Sequence, residues 1–154
     1  MSYARSLLNR HPRRSNVDAG VLATAIDALS DCVQACIADA DADLSEQHAP
    51  ALVRCIRLCL DCADICAAAV NVTSRQTAYD PTVTRPLLEA CAASCKICGD
   101  ECEQHARMHE HCRVCLEACR RCERACREFL ASMNQGEGMA MEGTAVMEAT
   151  GGHG

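Results

Sequence analysis

The sequence predicts an all-α protein, an antiparallel up-down-up-down four-helix bundle with a cysteine-lined core. Three observations predict this fold. Cysteines and apolar residues recur at steps of three or four along four separate segments, which is the spacing of one helix face. No segment shows the period-two alternation of a strand. The connections between the four segments are short, and short connections make neighbouring helices pack antiparallel.

The composition makes cysteine part of the core. The chain has 154 residues, about one domain, and holds 15 Cys but no Trp, one Phe and two Tyr. Because a core normally relies on large apolar and aromatic side chains, cysteine must occupy core positions here. The formal charge of -6 argues against nucleic acid as a partner, since phosphates require a basic face. No apolar run approaches the roughly 20 residues that span a bilayer, so no membrane partner is expected.

Residues 1–16 form a polar N-terminal extension, and the helical domain follows over residues 17–133. The pair Arg13 and Arg14 invites comparison with a twin-arginine signal, but Asp18 lies where the apolar region should begin. We therefore expect a cytoplasmic protein. In a reducing compartment, dense cysteine favours metal binding or redox work over a disulfide framework, and an odd count leaves at least one thiol unpaired.

The first two helices are separated by an acidic stretch. Helix one is predicted over residues 17–42. Helix two is predicted to begin near Ser45 or His48 and to end near residue 72. Ser45 is a candidate N-cap, and Pro50 fits only in a first turn.

The last two helices follow a polar loop over residues 73–81. Helix three is predicted to begin at Pro81 or Thr84 and to end near His105. Helix four is predicted over residues 109–132.

The cysteines are the main signal, and they are our candidate metal ligands. All 15 lie on the apolar stripes of the four helices, at the a/d positions that face a bundle axis. In chain order they are Cys32, Cys36, Cys55, Cys59, Cys62, Cys66, Cys91, Cys95, Cys98, Cys102, Cys112, Cys115, Cys119, Cys122 and Cys126. The charged residues fall mostly on the outer faces. The thiols are therefore expected to converge on one shared interior.

Three metal-free interpretations fit this pattern poorly. A single cysteine on a helix is usually a small buried hydrophobe, but Leu, Ile or Val would pack a whole seam better and resist oxidation. Disulfides within a helix are badly placed, because Cβ atoms at these spacings are about 5–6 Å apart and a bridge needs about 3.5–4.5 Å. Redox CxxC pairs work at an exposed helix start, whereas these lie in helix middles. We expect no enzyme and no catalytic residue.

Metal ions fit the spacing, and charge selects among them. Thiolates select Cu(I), Zn²⁺ or iron–sulfur clusters. Monovalent copper shared between thiolates can cancel their buried charge one for one, whereas about four Zn²⁺ on unshared thiolates would leave roughly seven charges uncancelled. The sequence lacks the C-x₂-C-x₂-C run of an iron–sulfur site and the Glu-x-x-His pairs of a di-iron site. We expect Cu(I), as multiple ions per chain.

Histidines gather at one end of the predicted bundle. The loop between helices one and two and the loop between helices three and four share this end. There we expect His105, His109 and His111 to be further metal ligands, with His48 and Met108 nearby, and copper to enter and pass inward. The alternative interpretation is that these histidines are ordinary solvated residues of the turns at the helix ends. The opposite end is expected to be an apolar plug of Leu22, Ala25, Val70, Leu87, Phe129 and Leu130.

Residues 134–154 are rich in Gly, Met, Glu and Ala, without a steady periodicity. We expect a mobile tail there. Its Met and His residues could touch copper, but an ordinary tail is the simpler interpretation.

The cysteine ladders, including those over residues 91–102 and 112–122, resemble those of the bacterial four-helix-bundle copper storage proteins (Csp family). The resemblance covers roughly residues 17–133. It implies a homotetramer of bundles, each packed with Cu(I) on thiolates, with histidines near the mouth. Exported relatives carry a twin-arginine signal, which we do not find here. The resemblance therefore points to the cytosolic branch, whose role is copper sequestration and tolerance. Helix one departs from an even ladder, since it carries two cysteines only.

The expected partners are copper ions, further copies of the chain and a copper chaperone as candidate donor. Two other functions stay open. One is a module that delivers copper or zinc to a partner, although such a chaperone usually offers one exposed CxxC. The other is a thiol oxidoreductase, which would need exposed thiols of low pKa.

Overall fold

A computed structural model of the protein describes residues 2–13 and 16–149, with side chains up to residue 135. Within this part the chain is all-helical, with five α-helices, one short 3-10 turn and no strand. The α-helices are α1 (Tyr3–Arg10), α2 (Ala19–Ser45), α3 (Val53–Thr73), α4 (Pro81–His105) and α5 (Glu110–Ala149), and the 3-10 turn Ala49–Leu52 precedes α3. The all-α class predicted from the sequence is confirmed.

The start of α2 is set by a side-chain cap, and its end lies later than predicted. The Asp18 carboxylate accepts hydrogen bonds from the N–H groups of Gly20 and Val21. The helix then continues through the acidic stretch to Ser45. Ser45 is thus the last residue of α2, and the prediction that it caps the next helix is wrong. Pro50 lies in the 3-10 turn before α3, where its missing N–H leaves no helical hydrogen bond unmade.

The bounds of α4 agree with those predicted from the sequence, whereas the end of α5 differs from its predicted position. Asp80 caps α4 by accepting from the N–H of Thr82, with Pro81 in the first turn. The helix end predicted near residue 132 is wrong, because α5 continues to Ala149. The added segment contains glycine but no proline, and glycine weakens a helix by only about 1 kcal/mol per residue. The mobility expected of residues 134–154 stays a prediction, and residues 150–154 lie outside the described residues.

The four long helices pack in a closed ring. Helix α2 contacts α3 and α5, and α4 contacts the same two helices. Neither diagonal pair packs backbone against backbone in the described part of the chain. The short N-terminal helix α1 lies against α2, with Ala4 and Leu8 half-buried on the core. The interior of the ring is therefore closed by helices on four sides.

Helix α2 is the one helix in the described ranges that is long and apolar enough, by length and composition, to cross a membrane. The expectation that no segment reaches this level is wrong for α2, because Asp27 and Asp31 are the only charged residues among its first twenty. Its apolar face packs inside the ring, where Leu22, Leu29 and Cys32 are at most 2 % exposed. This is the burial expected of a core helix.

Candidate metal centre

The fifteen cysteines fill the interior of the ring. All are free thiols, and none is more than 1 % exposed. Each helix delivers its sulfurs inward because its cysteines recur every three or four residues along one face. The structure thus brings together every cysteine that the sequence singled out. We call this set of fifteen sulfurs the thiol core.

The sulfurs of the thiol core lie at distances that suit bridging ions. The closest pair, Cys66 and Cys91, has its Sγ atoms 3.4 Å apart, and Cys62 and Cys95 have theirs 3.7 Å apart. Two sulfurs bound to one ion at about 2.3 Å lie about 4.0 Å apart in trigonal geometry and about 3.8 Å apart in tetrahedral geometry. A disulfide needs about 2.05 Å. The spacing therefore suits shared metal ions without large movements of the backbone.

Many sulfurs of the thiol core form overlapping groups of four. In each group all sulfurs lie within 4.8 Å of one another. Four of these groups are Cys32, Cys66, Cys95 and Cys122; Cys32, Cys36, Cys62 and Cys119; Cys36, Cys98, Cys115 and Cys119; and Cys59, Cys98, Cys102 and Cys115. Each group shares members with a neighbour. A bound ion would consequently have another four-sulfur group beside it along the core.

The dense packing alters how the thiols ionise. Hydrogen bonds from other thiols, that of Cys115 first, lower the pKa of Cys102 to about 6. The hydrogen bond with Cys115 is also the largest cause that raises the pKa of Cys36. The thiols thus do not ionise independently of one another. A fully ionised core requires cations between the sulfurs, because buried charges are stable only when they are neutralised.

Two buried aspartates lie beside the thiol core at one end. Asp39 accepts from the thiols of Cys59 at 3.4 Å and Cys102 at 3.6 Å. Asp43 accepts from Cys112 at 3.5 Å and is 0 % exposed. Burial is the largest cause that raises the pKa of Asp43 to about 7. A carboxylate lining therefore continues the sulfur lining toward the ends of α2 and α4.

His111 joins these aspartates to the surface. Its Nδ1 lies 2.6 Å from Asp39 Oδ1 and 3.5 Å from Cys112 Sγ, and its Nε2 lies 3.0 Å from Glu46 Oε1. Burial lowers the pKa of His111, but the hydrogen bonds to Asp39 and Glu46 outweigh burial and raise it. His109 Nδ1 lies 3.0 Å from the same Glu46 oxygen. We call the part of the molecule around His105, His109 and His111 the histidine end.

The other predicted residues of this end range from partly buried to exposed. His105 Nε2 lies 3.2 Å from Glu101 Oε1, and Arg54 pairs with the second oxygen of that carboxylate at 2.9 Å. His48 is exposed, and Met108 is 84 % exposed. Of the three histidines singled out as ligands, His111 contacts a cysteine, His109 contacts Glu46, and His105 contacts Glu101.

The sequence interpretation missed Asp39 and Asp43. A signal was present, because these residues continue the helix-one stripe from Cys36 by steps of three and four. Their place in a run of alternating aspartates favoured a solvated helix end instead. In the structure they are 2 % and 0 % exposed.

The opposite end of the core is closed by apolar side chains. Leu22, Ala25 and Phe129 are at most 2 % exposed. Val70, Leu87, and Leu130 are half-buried against the same core. The apolar plug expected from the sequence is thus present, and the thiol core approaches polar groups at the histidine end.

Comparison with known proteins gives concordant matches. Residues 19–131 match the family described as Csp, copper storage protein. A solved structure of the copper storage protein Ccsp from Streptomyces lividans, loaded with 10 copper equivalents, is 52% identical, has a TM-score of 0.82, and covers 84% of this chain and 98% of its own. A structure described as copper loading to a cytosolic copper storage protein from the same organism (five coppers) is 56% identical, with a TM-score of 0.72, over 73% of this chain and 93% of its own.

A curated relative from Bacillus subtilis (strain 168) carries no function in its name. It is the uncharacterized cysteine-rich protein YhjQ, which is 40% identical over 93 residues, 60% of this chain and 81% of its own length.

Proposed function

Because the chain belongs to the copper storage protein family, we propose that it stores multiple Cu(I) ions in the cytoplasm on the thiolates of its core. The observation that carries this proposal is the thiol core itself. Fifteen free thiols lie in one interior, and many of them belong to overlapping groups of four. The Streptomyces lividans relatives, described as copper-loaded and in one case as cytosolic, support the same cargo and compartment.

The proposed ligands are all fifteen cysteines, joined at the histidine end by His105, His109 and His111. Cysteine sulfur is a soft donor and suits Cu(I). Each Cu⁺ cancels one thiolate charge, so a core of shared sulfurs can be filled without leaving a large buried charge. Zinc on unshared sets of four thiolates would leave two negative charges per ion. The charge balance therefore favours copper as the cargo.

We propose that α2, α3, α4 and α5 form the antiparallel up-down-up-down four-helix bundle expected from the sequence. Their packing as a closed ring supports this arrangement. The contacts between Asp39 late in α2, Cys59 early in α3 and Cys102 late in α4 support opposite directions for successive helices. In such a bundle the connections α2–α3 and α4–α5 share the histidine end.

Copper is proposed to enter at the histidine end. His111 contacts Cys112, the first cysteine of α5. A copper ion bound to the imidazole can therefore pass directly to this thiolate. The opposite end offers apolar side chains, which give a bare cation no ligand. The path therefore runs from the histidines to Cys112 and on to the overlapping sulfur groups. A copper chaperone is a suitable donor to this end.

The assembly is proposed to be a homotetramer that protects the cell from excess copper. Several large apolar side chains on the outer faces of the helices are exposed and support an interface between copies. They are Ile37, Leu44, Val53, Leu60, Ile97 and Val114. The protein is proposed to act as a store and not as an enzyme, since buried thiols are poorly accessible to a substrate.

Anaerobic titration of the reduced full-length chain tests the proposal. Cu(I) and Zn²⁺ are added separately, in competition with a chelator for each metal, and bound ions are counted per chain. We expect Cu(I) to approach one ion per cysteine and Zn²⁺ to saturate at far fewer ions. Binding of only about one to four Cu(I) would instead favour the delivery module. Rapid thiol–disulfide exchange with a small disulfide, without unfolding, would favour the oxidoreductase.

A further inference from the structure

We propose that Gly99 on α4 and Arg120 on α5 are positioning residues for the stored ions, because together they hold these two helices at the separation that shared ions need. The inference rests on the proposed storage of Cu(I) and identifies what fixes the spacing of its ligands. Two of the four-sulfur groups depend most directly on this separation, since α4 and α5 supply three of the four sulfurs in each. These sulfurs belong to Cys98, Cys115 and Cys119 in one group, and to Cys98, Cys102 and Cys115 in the other.

At Gly99 the backbone of α4 lies close to α5. A Cβ atom added at Gly99 would lie 3.5 Å from Cys119 Cβ and 3.1 Å from Arg120 Nη1. A methyl group could therefore be placed there after a small shift of the guanidinium, whereas a longer side chain would press against α5. Gly99 is buried, and it is the only glycine in residues 21–133 of the sequence. Because glycine weakens the interior of a helix, its place in the middle of α4 is best explained by this close packing.

The side chain of Arg120 lies over Gly99 and ties α5 to α4. Its Nη2 donates to Asp100 Oδ1 at 2.7 Å, and its Nη1 donates to the backbone oxygen of Lys96 at 3.4 Å. Lys96 lies about one turn before Gly99, and Asp100 follows it directly. One side chain of α5 therefore bonds α4 on both sides of the glycine, and the absence of a side chain at Gly99 leaves room for it.

Both residues are adjacent in sequence to a proposed copper ligand. Gly99 follows Cys98, and Arg120 follows Cys119. Any movement of α4 relative to α5 at this contact is therefore passed directly to sulfurs of the thiol core. The contact fixes the backbone on one side of each ligand, while the sulfur points inward from the other.

Sulfurs that share an ion tolerate only a small change in this separation. Two sulfurs bound to one ion at about 2.3 Å lie about 3.8–4.0 Å apart, and even a linear ion allows no more than about 4.6 Å. The axes of packed helices lie about 8 to 10 Å apart, depending on the side chains at the contact. A large side chain in place of Gly99 can therefore change an ion with three sulfur ligands into one with two.

The alternative is that this contact contributes to stability alone. In that case a variant would lower the Tm of the apo chain, but its folded, loaded form would hold the same number of ions with the same coordination. A positioning role predicts a change in ion number and in coordination in a chain that still folds. The number of sulfurs around each Cu(I) therefore distinguishes the two roles.

A series of variants at Gly99 tests the positioning role in the reduced full-length chain under anaerobic conditions. Cu(I) is titrated against a chelator, and X-ray absorption at the copper edge reports the coordination number. Gly99→Ala should keep the wild-type number of ions. Gly99→Leu should lose roughly one or two Cu(I) per chain and contain a larger share of two-coordinate Cu(I). Ala93→Leu is the matched control, because Ala93 is an exposed residue of the same helix, and it should match the wild type.

Replacement of Arg120 gives a second test that does not add bulk to the interface. Arg120→Met keeps a long side chain but removes the bonds to α4, so the share of two-coordinate Cu(I) should rise, though less than in Gly99→Leu. Arg120→Lys keeps a cation that can pair with Asp100 and should restore much of the wild-type coordination. Arg124→Met is the control, because Arg124 is an exposed arginine of the same helix.

Unchanged ion number and coordination in a folded Gly99→Leu chain would overturn the inference, as would an equal loss in Ala93→Leu. If circular dichroism shows that Gly99→Leu does not fold, Arg120→Met decides, and wild-type coordination in that variant would overturn the positioning role. The wild-type chain is titrated in parallel. If it binds only about one to four Cu(I), copper storage itself fails and the inference fails with it. If the wild type stores many ions and the variants match it, only the positioning role is wrong.

Discussion

The sulfur of Cys32, on α2, lies 3.9 Å from the sulfur of Cys95, on α4, across the diagonal of the helical ring. The backbones of these two helices do not pack together in the described part of the chain, so the thiols themselves bridge the centre. Cys32 belongs to two of the four-sulfur groups. By contrast, Cys126 is near the apolar plug, with its sulfur 3.8 Å from that of Cys91. The cysteines thus differ in how many neighbours they can share an ion with.

Replacing Cys32 should lower copper capacity more than replacing Cys126. Cys32→Ala removes a sulfur from two overlapping groups, so we expect the loss of more than one Cu(I) per chain, whereas Cys126→Ala should lose about one. Each replacement removes one buried sulfur and leaves a small cavity, so the apo fold should remain. Anaerobic titration with a Cu(I) chelator measures both capacities. Equal losses would contradict the central role of Cys32.

The histidine end should control the rate of loading and not its extent. In a His105→Ala, His109→Ala and His111→Ala triple variant, stopped-flow uptake of Cu(I) should slow, because the first imidazole ligands are absent. The final capacity should stay nearly unchanged, since the cysteines hold the cargo. His11→Ala is the matched control, because His11 follows α1 and lies next to Ser74 and Ile26, away from this end. Unchanged uptake rates in the triple variant would contradict the proposal that copper enters at the histidine end.

The apo protein should lose stability as pH rises through neutrality. Burial raises the folded-state pKa of Asp43 from 3.8 to about 7, so the folded state holds a proton that the unfolded state has released between these values. This contribution is complete below about pH 3.8 and is lost as pH rises through about 7. The raised pKa of His111 acts in the same direction, because its contribution is lost above its folded pKa.

Asp43→Asn isolates the carboxylate in this pH dependence. The variant should be more stable than the wild type at pH 8, by up to about 4 kcal/mol, and similar to it at pH 4. Urea unfolding of the reduced apo chain at several pH values measures the difference. If the stability of the wild-type chain instead rose from pH 5 to pH 8, the predicted pH dependence would be wrong.

The thiol core could be predicted from the sequence because helical spacing alone fixes which face a residue occupies. Cys55, Cys59 and Cys62 follow one stripe, and no tertiary detail can turn one of them outward without turning the others. Asp39 and Asp43 follow the same rule, but their charge favoured a solvated position. In the structure Asp39 contacts His111, which lies 72 positions further along the chain. Local pattern does not contain that contact.

Helix ends were predicted less well than helix faces. Ser45 has a side chain typical of an N-cap, yet its hydroxyl donates to the carbonyl of Asp41 within α2. Serine can make this bond to the preceding turn as well as a cap, so the residue type does not decide between the end of one helix and the start of the next. Asp18 and Asp80, which precede α2 and α4, do cap their helices.

Copper should raise the Tm of a variant with a defect in the apolar plug. Phe129 is 1 % exposed, and Phe129→Ala should destabilise the apo chain by about 3–5 kcal/mol, which lowers its Tm by about 10 °C or more. Val114→Ala, on an exposed position of the same helix, should cost about 0.5 kcal/mol or less. Ions bound across the four helices stabilise only the folded state, so copper should raise the Tm of the wild type and of Phe129→Ala alike and leave most of the difference between them. Calorimetry of the apo and copper-loaded forms measures this, and a Tm of Phe129→Ala that copper leaves unchanged would mean that the ions do not hold the helices together.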